Sequence, residues 1–252
     1  EVGDDEVMVR RLVADDLDWV LDLAGRTAEQ RQSFAPRFWR RAPDAHRVHA
    51  RYLSSLIADP TVAAMRTEHM FAFGMHRSGL VLVDDAAAGR AEQWAIEGAA
   101  LFRRLVGQST VRFVCPVPEP ERAALAVELG LSCAETWWHR DLNERPAEFH
   151  NDESLPVRGA QGHLVAAPAV YAPGGSVLLV TQFHDRRALT EIEPQAAERG
   201  AAVSVVAQAP NERDREELLL TIGYRRTCDF YEGTLNAGHQ PRVSSRGRCP
   251  DH

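Results

Sequence analysis

The sequence predicts an α/β fold with a mixed sheet, in which a complete first unit is followed by a second, truncated copy. Three observations lead to this prediction. Short apolar runs alternate with amphipathic stretches along most of the 252 residues. Two amphipathic stretches end at a glycine, Gly130 and Gly223. Seven and eight residues after each glycine come two adjacent aromatic residues, Trp137 and Trp138 in the first copy and Phe230 and Tyr231 in the second.

The first unit begins with a strand and two helices. Residues 7–12 alternate apolar and polar side chains, which favours a strand, and Asp15 or Asp16 then caps an amphipathic helix. The run DAHRVHARYLSSLIADP predicts a second helix that ends at Pro60.

Strands and helices then alternate to the end of the first unit. The runs TVAAMRTEH, MFAFGMH and GLVLVDD predict three strands, and the alanine-rich AEQWAIEGAALFRRLVGQ predicts a helix. TVRFVCPV predicts a buried strand, EPERAALAVELG a helix closed by Gly130, and LSCAETWWHRDL a final strand. Residues 1–142 are therefore predicted to form one domain.

The second copy follows a polar segment. Residues 143–162 are broken by proline and glycine and predict a linker. Residues 163–235 repeat the strand and helix pattern, with Glu212-Arg213 opening the last helix as Glu121-Arg122 does in the first copy. Residues 236–252 lack apolar periodicity and predict a flexible tail.

Composition excludes several classes of function. A net charge of −7 argues against nucleic acid as a partner, and no apolar run approaches the length needed to span a membrane. All 29 basic residues are arginine, which excludes a Schiff-base lysine and a P-loop lysine. The four cysteines form no close pair, so we expect neither a disulfide framework nor a metal site, and a cytoplasmic protein. The sequence leaves open whether the protein is a monomer or a homodimer.

The order of elements and the endings ELGLSCAETWW and TIGYRRTCDFY resemble the GNAT acyltransferase superfamily. The resemblance covers residues 7–142, and residues 163–235 look like a partial second GNAT-like copy. It implies a GNAT-like fold and acetyl-CoA or another acyl-CoA as co-substrate, without a metal. It also implies a small-molecule amine as the acyl acceptor.

The resemblance places the acyl-CoA site at the fourth strand and the turn after it. GNAT enzymes carry there a Gln or Arg, two residues, a Gly, one residue and a Gly or Ala. Gln93 and Gly98 match the outer positions, whereas Ile96 replaces the middle glycine. Backbone N–H groups at a helix N-terminus can cradle a pyrophosphate. The same stretch also fits an ordinary helix whose core face carries Trp94, Ile96, Leu101 and Phe102. The predicted cofactor-binding residues are Val81, Val83, Arg90, Gln93, Trp94, Ala95, Ile96, Glu97, Gly98 and Ala99.

Candidate catalytic residues lie around the fourth strand. Asp84 or Asp85 could act as the base, and His76 could carry a proton. The resemblance also implies a tyrosine general acid four residues before the helix-closing glycine, but Ala126 and Leu219 stand there. The predicted acceptor-binding residues are Phe34, Phe38, Trp39 and Arg40. His46 and His49 have a spacing that could hold a metal, although a surface position is favoured.

Three hypotheses about function follow. The first is an acyl-CoA-dependent N-acyltransferase acting on a small-molecule amine. The second is a GNAT-fold ligand-binding or regulatory protein that has lost catalysis, which the altered turn and the missing tyrosine favour. The third is a GNAT-like enzyme acting on a carrier thiol. An open space between the fourth and fifth strands would favour acyl-CoA binding, whereas a filled one would favour the second hypothesis.

Overall fold

The computed structural model describes residues 7–142, here called the N-terminal half, and residues 153–235, the C-terminal half. The N-terminal half contains β1 (Arg10–Arg11), α1 (Leu17–Phe34), α2 (Ala45–Ala58), β2 (Ala63–Arg66), β3 (Met70–Arg77), β4 (Leu80–Val83), β5 (Ala86–Ala88), α3 (Gln93–Val106), β6 (Thr110–Pro116), α4 (Pro120–Glu128) and β7 (Ser132–Asp141). The C-terminal half contains β8 (Glu153–Val157), β9 (Ala160–Val165), β10 (Ser176–Phe183), α5 (Arg186–Glu198), β11 (Ala201–Gln208), α6 (Arg213–Thr221) and β12 (Arg225–Thr234).

One mixed sheet runs through both halves, in the order β1-β2-β3-β4-β6-β12-β7-β11-β10-β9-β8, with β5 pairing β3 off this path. Two strand pairs are parallel, β4 with β6 and β10 with β11, and each pair is joined by a helix, α3 or α5. The mixed α/β class predicted from the alternation of elements is therefore confirmed.

The two halves exchange their last strands. β12 inserts between β6 and β7 of the N-terminal half, and β7 pairs with β11 of the C-terminal half. The register of the central pair is symmetric, because Cys228 faces Trp137 while Phe230 faces Glu135. The halves are thus related by an internal twofold axis between β7 and β12.

The internal repeat is closer than the sequence prediction proposed. Helices α4 and α6 have the same length, nine residues, and Glu119 and Glu212 stand at their N-caps. Counted back from Gly130 and Gly223, the matching pairs are Glu119 with Glu212 and Arg122 with Arg215. The predicted match of Glu121-Arg122 with Glu212-Arg213 is wrong, because those pairs stand at different distances from their glycines.

Apolar clusters lie on both faces of the sheet. Helices α3 and α4 cover one face with Trp94, Leu101 and Phe102 among the buried residues. Helices α1 and α2 pack on the opposite face over Phe71 and Phe73. The C-terminal half has α5 and α6 but, within residues 153–235, no counterpart of α1 and α2. Part of its sheet face is covered instead by the segment after α1.

The structure differs from the sequence prediction at several strands. β8 and the beginning of β9 occupy residues 153–162, which were predicted as linker, because the turn at Gly159 lets the two strands pair. β5 was not predicted, since Ala86–Ala88 carries no strand-like alternation. The remaining linker residues, 143–152, and the predicted tail, 236–252, lie outside the described residues. Among the described helices, none is long and apolar enough to cross a membrane.

Candidate functional site: a central cavity beside a closed strand gap

A cavity of about 970 Å³ lies on the face of the sheet that α1 and α2 cover, and it crosses the internal twofold axis. Its floor is formed by side chains of six strands, Leu82, Val114, Phe230, Trp137, Val205 and Leu179. Its roof consists of α1, α2, the segment after α1 with Phe38 and Trp39, and residues 166–171. The cavity therefore contacts both halves of the chain.

The roof is held closed by hydrogen bonds between the segment after α1 and the C-terminal half. The Arg40 guanidinium donates to the Ala172 carbonyl at 2.5 Å, and the Arg37 Nε donates to the Pro173 carbonyl at 3.2 Å. The backbone N–H of Ala42 donates to the Val170 carbonyl at 3.0 Å. The ring of Phe38 stacks on His139 with 5.0 Å between centroids. These contacts fix Phe38 and Trp39 over the sheet.

Carboxylates and a histidine lie together at one end of the cavity. Asp84 and Asp85 follow β4, and the Nε2 atom of His49 on α2 lies 3.5 Å from Oδ1 of Asp85. Within the described residues, no donor lies within hydrogen-bonding distance of the Asp84 carboxylate. Burial raises the pKa of the Asp84 carboxyl and Asp85 raises it further, against the opposing charges of Arg122, Arg31 and His49. Burial and the same two carboxylates also raise the pKa of Tyr52.

A buried cluster of charges lies beside this end of the cavity. The Arg31 Nε donates to Oε1 of Glu119 at 2.6 Å, and Arg122 lies 3.4 Å from Oε2 of the same carboxylate. Burial favours the neutral form of Glu119, but the two arginines outweigh it and lower the pKa of the carboxyl. Glu119 is therefore ionised and its charge is matched within the cluster.

Arg122 closes the gap between β4 and β6. The backbone ladder between these strands ends at the pair Val83 and Phe113, where the strands separate. The Arg122 guanidinium lies in this gap, donating to the carbonyls of Asp84 at 2.8 Å and Ala86 at 3.0 Å. Its side chain has no exposed surface. Two carbonyls that an open gap would offer to a ligand, those of Asp84 and Ala86, are thus bonded within the protein.

Aromatic rings pack around the same guanidinium. It lies 4.8 Å from the ring centroid of Phe113 and 5.5 Å from that of Trp94. Trp94 is itself buried against Phe113. The face of Trp94 is therefore covered by protein, and Trp94 packs with Phe113 around the Arg122 guanidinium.

The turn predicted to hold a pyrophosphate is bonded to the protein's own groups. Oε1 of Gln93 accepts from the N–H of Arg90 at 2.9 Å, and the N–H groups of Gln93 and Trp94 donate to turn carbonyls at 3.2 Å. Glu97 is buried and its Oε1 lies 2.7 Å from Nδ1 of His69. Arg90 is exposed and pairs with Glu92. The turn thus carries two carboxylates, Glu92 and Glu97, and its one arginine is already paired with the first of them.

The remaining residues of the predicted cofactor site are mostly occupied in packing. Val81 and Val83 are buried and pair with β6. Ile96, which sequence reasoning also allowed as a core residue, is 64% exposed, because it lies on the opposite side of α3 from Trp94. Ala95 is exposed and Ala99 half-buried on the same helix.

Gly98 serves helix packing. A Cβ atom placed on it would lie 2.5 Å from Cδ2 of Leu125, a buried residue of α4.

The Gly98→Ala variant is expected to lose about 1–3 kcal/mol of unfolding free energy, since it overpacks the contact between α3 and α4. Gly25→Ala on α1 is the matched control, because nothing lies within 4 Å of the added Cβ and alanine favours a helix by about 0.5–1 kcal/mol. Chemical denaturation measures both. Equal stability of the two variants would contradict the packing role.

The structure brings together some predicted site residues and separates others. Asp84, Asp85, Phe38 and Trp39 all line the cavity. His76 is exposed at the far end of β3, where it pairs with Val81 near the beginning of β4. That position lies three residues, roughly 10 Å, from Asp84 along the strand.

The other two predicted acceptor-binding residues do not line the cavity. Arg40 is bonded to Ala172, and Phe34 ends α1. Ala126 and Leu219, at the positions of the missing tyrosine, are fully buried.

Sequence reasoning missed three residues of the site. His49 lies in the cavity although a surface position was favoured; its helical spacing from Ala45 and Tyr52, which also line the cavity, was the available signal. Arg31 was not singled out, and Arg122 was named only as a mark of the repeat and not as a site residue. The repeated Glu-x-x-Arg before each helix-closing glycine could have identified Arg122.

The C-terminal half repeats this arginine contact in a more exposed form. Arg215 donates to Glu212 at 2.8 Å and to the carbonyl of Phe183 at 2.7 Å, at the end of β10. Its side chain is 40% exposed, whereas that of Arg122 is fully buried. The arginine that closes a strand end is thus a feature of both copies, and it is completely enclosed in the first.

No family model and no curated protein matches the sequence. Solved structures do match the fold. A GCN5-related N-acetyltransferase from Sphaerobacter thermophilus has a TM-score of 0.56 and 12% identity, covering 93% of this chain and 97% of its own. A protein provisionally named an acetyltransferase, from Thermoplasma acidophilum, has a TM-score of 0.54 and 11% identity, covering 90% and 100%. A similarly named protein from Pyrococcus horikoshii has a TM-score of 0.51 and 12% identity, covering 94% and 92%.

Proposed function

We propose that this chain, which has the GNAT fold, binds a small-molecule amine in the central cavity and does not hold acyl-CoA between β4 and β6. The observation that carries the proposal is the buried Arg122 guanidinium, which occupies the gap and donates hydrogen bonds to the carbonyls of Asp84 and Ala86. Acyl-CoA could enter only by displacing a charge bonded to Glu119 and two strand carbonyls. The proposal corresponds to a GNAT-fold protein that retains a ligand site and has lost its cofactor site.

The turn supports the same conclusion. Helix N-termini attract anions by about 0.3–1 kcal/mol at exposed sites. Glu92 and the buried Glu97 oppose a diphosphate at the N-terminus of α3, and Arg90 offsets only part of that charge because it already pairs with Glu92. A weak attraction opposed by two carboxylates does not favour a pyrophosphate.

The cavity supports an amine as the ligand. Asp84 lacks a donor among the described residues, and an ammonium group can donate to it and to Asp85. Carboxylate and ammonium form charge-assisted hydrogen bonds, which contribute about 1.5–3 kcal/mol each. The rings of Phe38, Trp39 and Tyr171 provide faces that attract a cation or its apolar body.

Isothermal titration calorimetry tests both parts of the proposal, and tryptophan fluorescence gives a second measurement of amine binding. Benzylamine is expected to bind and to quench the fluorescence of the cavity tryptophans Trp39 and Trp137. Acetyl-CoA is expected to give no heat at millimolar concentration, at low or moderate salt. Micromolar binding of acetyl-CoA that weakens with salt would contradict the closed gap. Absence of any amine binding would contradict the cavity assignment.

Acyl transfer from acyl-CoA to the same amine is a second candidate, favoured by the position of Asp84 at the end of β4 beside the gap. In this reaction the amine nitrogen attacks the thioester carbon, the C–S bond breaks, CoA leaves as the thiolate, and Asp84 accepts the ammonium proton. The neighbours' names favour this chemistry. It requires Arg122 to move, and an acetylation assay with benzylamine, wild type against Asp84→Asn, distinguishes it from binding alone.

A further inference from the structure

We propose that the cavity ligand is an elongated amphipathic cation whose ammonium head lies against Asp84 and Asp85 and whose apolar body crosses the internal twofold axis onto the C-terminal half. This inference rests on the proposed function. It adds that the C-terminal half, rather than the predicted acceptor loop alone, selects the ligand.

Charge is distributed unevenly along the cavity. Among the described residues, the charged side chains that line it all come from the N-terminal half, namely Arg31, Arg41, His49, Arg51, Asp84 and Asp85. The lining residues from the described C-terminal half are uncharged, and most are aliphatic. Five of these six residues lie on α1, on α2 or directly after β4, whereas Arg41 lies in the roof, where its backbone pairs with that of Tyr171. The end of the cavity under α1 and α2 can therefore hold a charge, and the floor beyond it favours apolar surface.

The charge that the polar end can accept is positive. Arg31 is already bonded to Glu119, and Arg51 is exposed to solvent. Among the described residues, no hydrogen-bond donor reaches the Asp84 carboxylate. The Asp85 carboxylate has one histidine nearby, since Nε2 of His49 lies 3.5 Å from its Oδ1. Asp84 is accessible from the cavity, so the ammonium group of a ligand can reach its carboxylate and donate to it.

The apolar part of the cavity is continuous across the twofold axis. Trp137 and Phe230, which are equivalent residues of β7 and β12, touch with 5.0 Å between ring centroids. Trp137 packs in both apolar clusters of the floor, one beneath Trp39 and one beneath Phe38. Among the described residues that line the cavity, no polar side chain interrupts the floor between Phe230 and Leu179, since His139 of β7 is covered by Phe38.

The length of this floor exceeds that of a short amine. From β4 to β10 the sheet crosses five inter-strand spacings, roughly 24 Å in all. A cavity of about 970 Å³ is at the upper end of the volumes that ligand sites have, and a short amine would leave its C-terminal part unfilled. Each methylene moved from water onto this surface is expected to raise affinity up to about fourfold.

The experiment compares primary n-alkylamines of four, eight, twelve and sixteen carbons by tryptophan fluorescence at micromolar concentration, with the n-alkanols and n-alkanoates of the same lengths. Leu179→Phe narrows the far end of the cavity. Leu220→Phe is the matched control, because Leu220 is an exposed leucine of α6 outside the cavity.

Amine affinity is expected to rise with chain length, with alkanols and alkanoates at least tenfold weaker at each length. Leu179→Phe is expected to weaken the sixteen-carbon amine about tenfold and to leave the eight-carbon amine unchanged, while Leu220→Phe changes neither. The proposal of an elongated ligand is wrong if short amines bind but affinity does not rise with chain length, or if Leu179→Phe weakens amines of all lengths equally. In either case the proposal of amine binding is retained. If alkanoates bind best, the sign of the head group is wrong. If no amine of any length binds, the proposed function fails as well.

Discussion

The Arg122→Ala variant is expected to lose about 3–5 kcal/mol of unfolding free energy and to gain binding of acetyl-CoA. The loss follows because the carbonyls of Asp84 and Ala86 lose a buried donor, Glu119 loses one of its two cations, and a void opens beside Phe113. The gain follows because the gap between β4 and β6 opens. Urea denaturation measures the first effect, and the shift of the melting temperature with acetyl-CoA measures the second.

Two control variants separate these effects. Arg122→Met refills the gap without a charge, so it is expected to be more stable than Arg122→Ala and to stay insensitive to acetyl-CoA. Arg215→Ala removes the equivalent, partly exposed arginine of the C-terminal half and is expected to cost no more than about 1 kcal/mol. If Arg122→Ala and Arg215→Ala lose the same unfolding free energy, the burial of Arg122 does not explain its contribution to stability. An Arg122→Ala protein that folds but ignores acetyl-CoA would show that the gap is not a closed cofactor site.

The Asp84→Asn variant is expected to bind amines about 10- to 100-fold more weakly and yet to be more stable than the wild type at neutral pH. Affinity falls because the carboxylate that accepts the ammonium is lost. Stability rises because burial and Asp85 raise the pKa of Asp84, so the folded protein carries an unfavourable charge there at neutral pH. Titration with dodecylamine and urea denaturation measure the two effects.

The dependence on pH has a definite sign. Because its pKa is higher in the folded than in the unfolded state, Asp84 binds a proton more readily when folded, and its contribution lowers stability as pH rises. The loss begins near the unfolded pKa, about 4, and is complete above the folded pKa. The difference in stability between Asp84→Asn and the wild type should therefore widen with pH across that window. A less stable Asp84→Asn protein at neutral pH would contradict this account.

The order of helices and strands could be predicted from the sequence because it depends on local patterns. The apolar periodicity of α3, α4, α5 and α6 and the glycines that close α4 and α6 identify each element from its own residues. The interpretation of Ile96 as a residue of the buried face of α3 was wrong, because an apolar residue lies on that face only if its angular position around the helix axis matches that of the buried residues. It lies two residues, about 200°, from Trp94 and therefore faces solvent.

The exchange of β7 and β12 could not be predicted from the sequence. Both strands carry an aromatic pair at the same distance from a helix-closing glycine, so each has the side chains to pair with β6 or with β11. Backbone hydrogen bonds do not distinguish the two arrangements. The cavity depends on that exchange, since Trp137 and Phe230 meet only where β7 and β12 lie side by side.

Arg122 could have been recognised only in part. The repeated Glu-x-x-Arg spacing indicates a shared role for Arg122 and Arg215, but it does not indicate that one guanidinium is enclosed. Enclosure depends on Trp94 and Phe113, which come from α3 and β6. His49 required the same kind of information, because its neighbour Asp85 lies on a different element.

A crystal structure of the chain grown with both dodecylamine and acetyl-CoA would show whether the cavity holds the amine while the gap between β4 and β6 stays closed. We expect density for the amine in the cavity, with its nitrogen within hydrogen-bonding distance of the Asp84 or Asp85 carboxylate and its chain over Trp137. We also expect that Arg122 still bonds the carbonyls of Asp84 and Ala86. A pantetheine arm between β4 and β6, with Arg122 displaced, would contradict this expectation and would identify the chain as an acyl-CoA-binding protein.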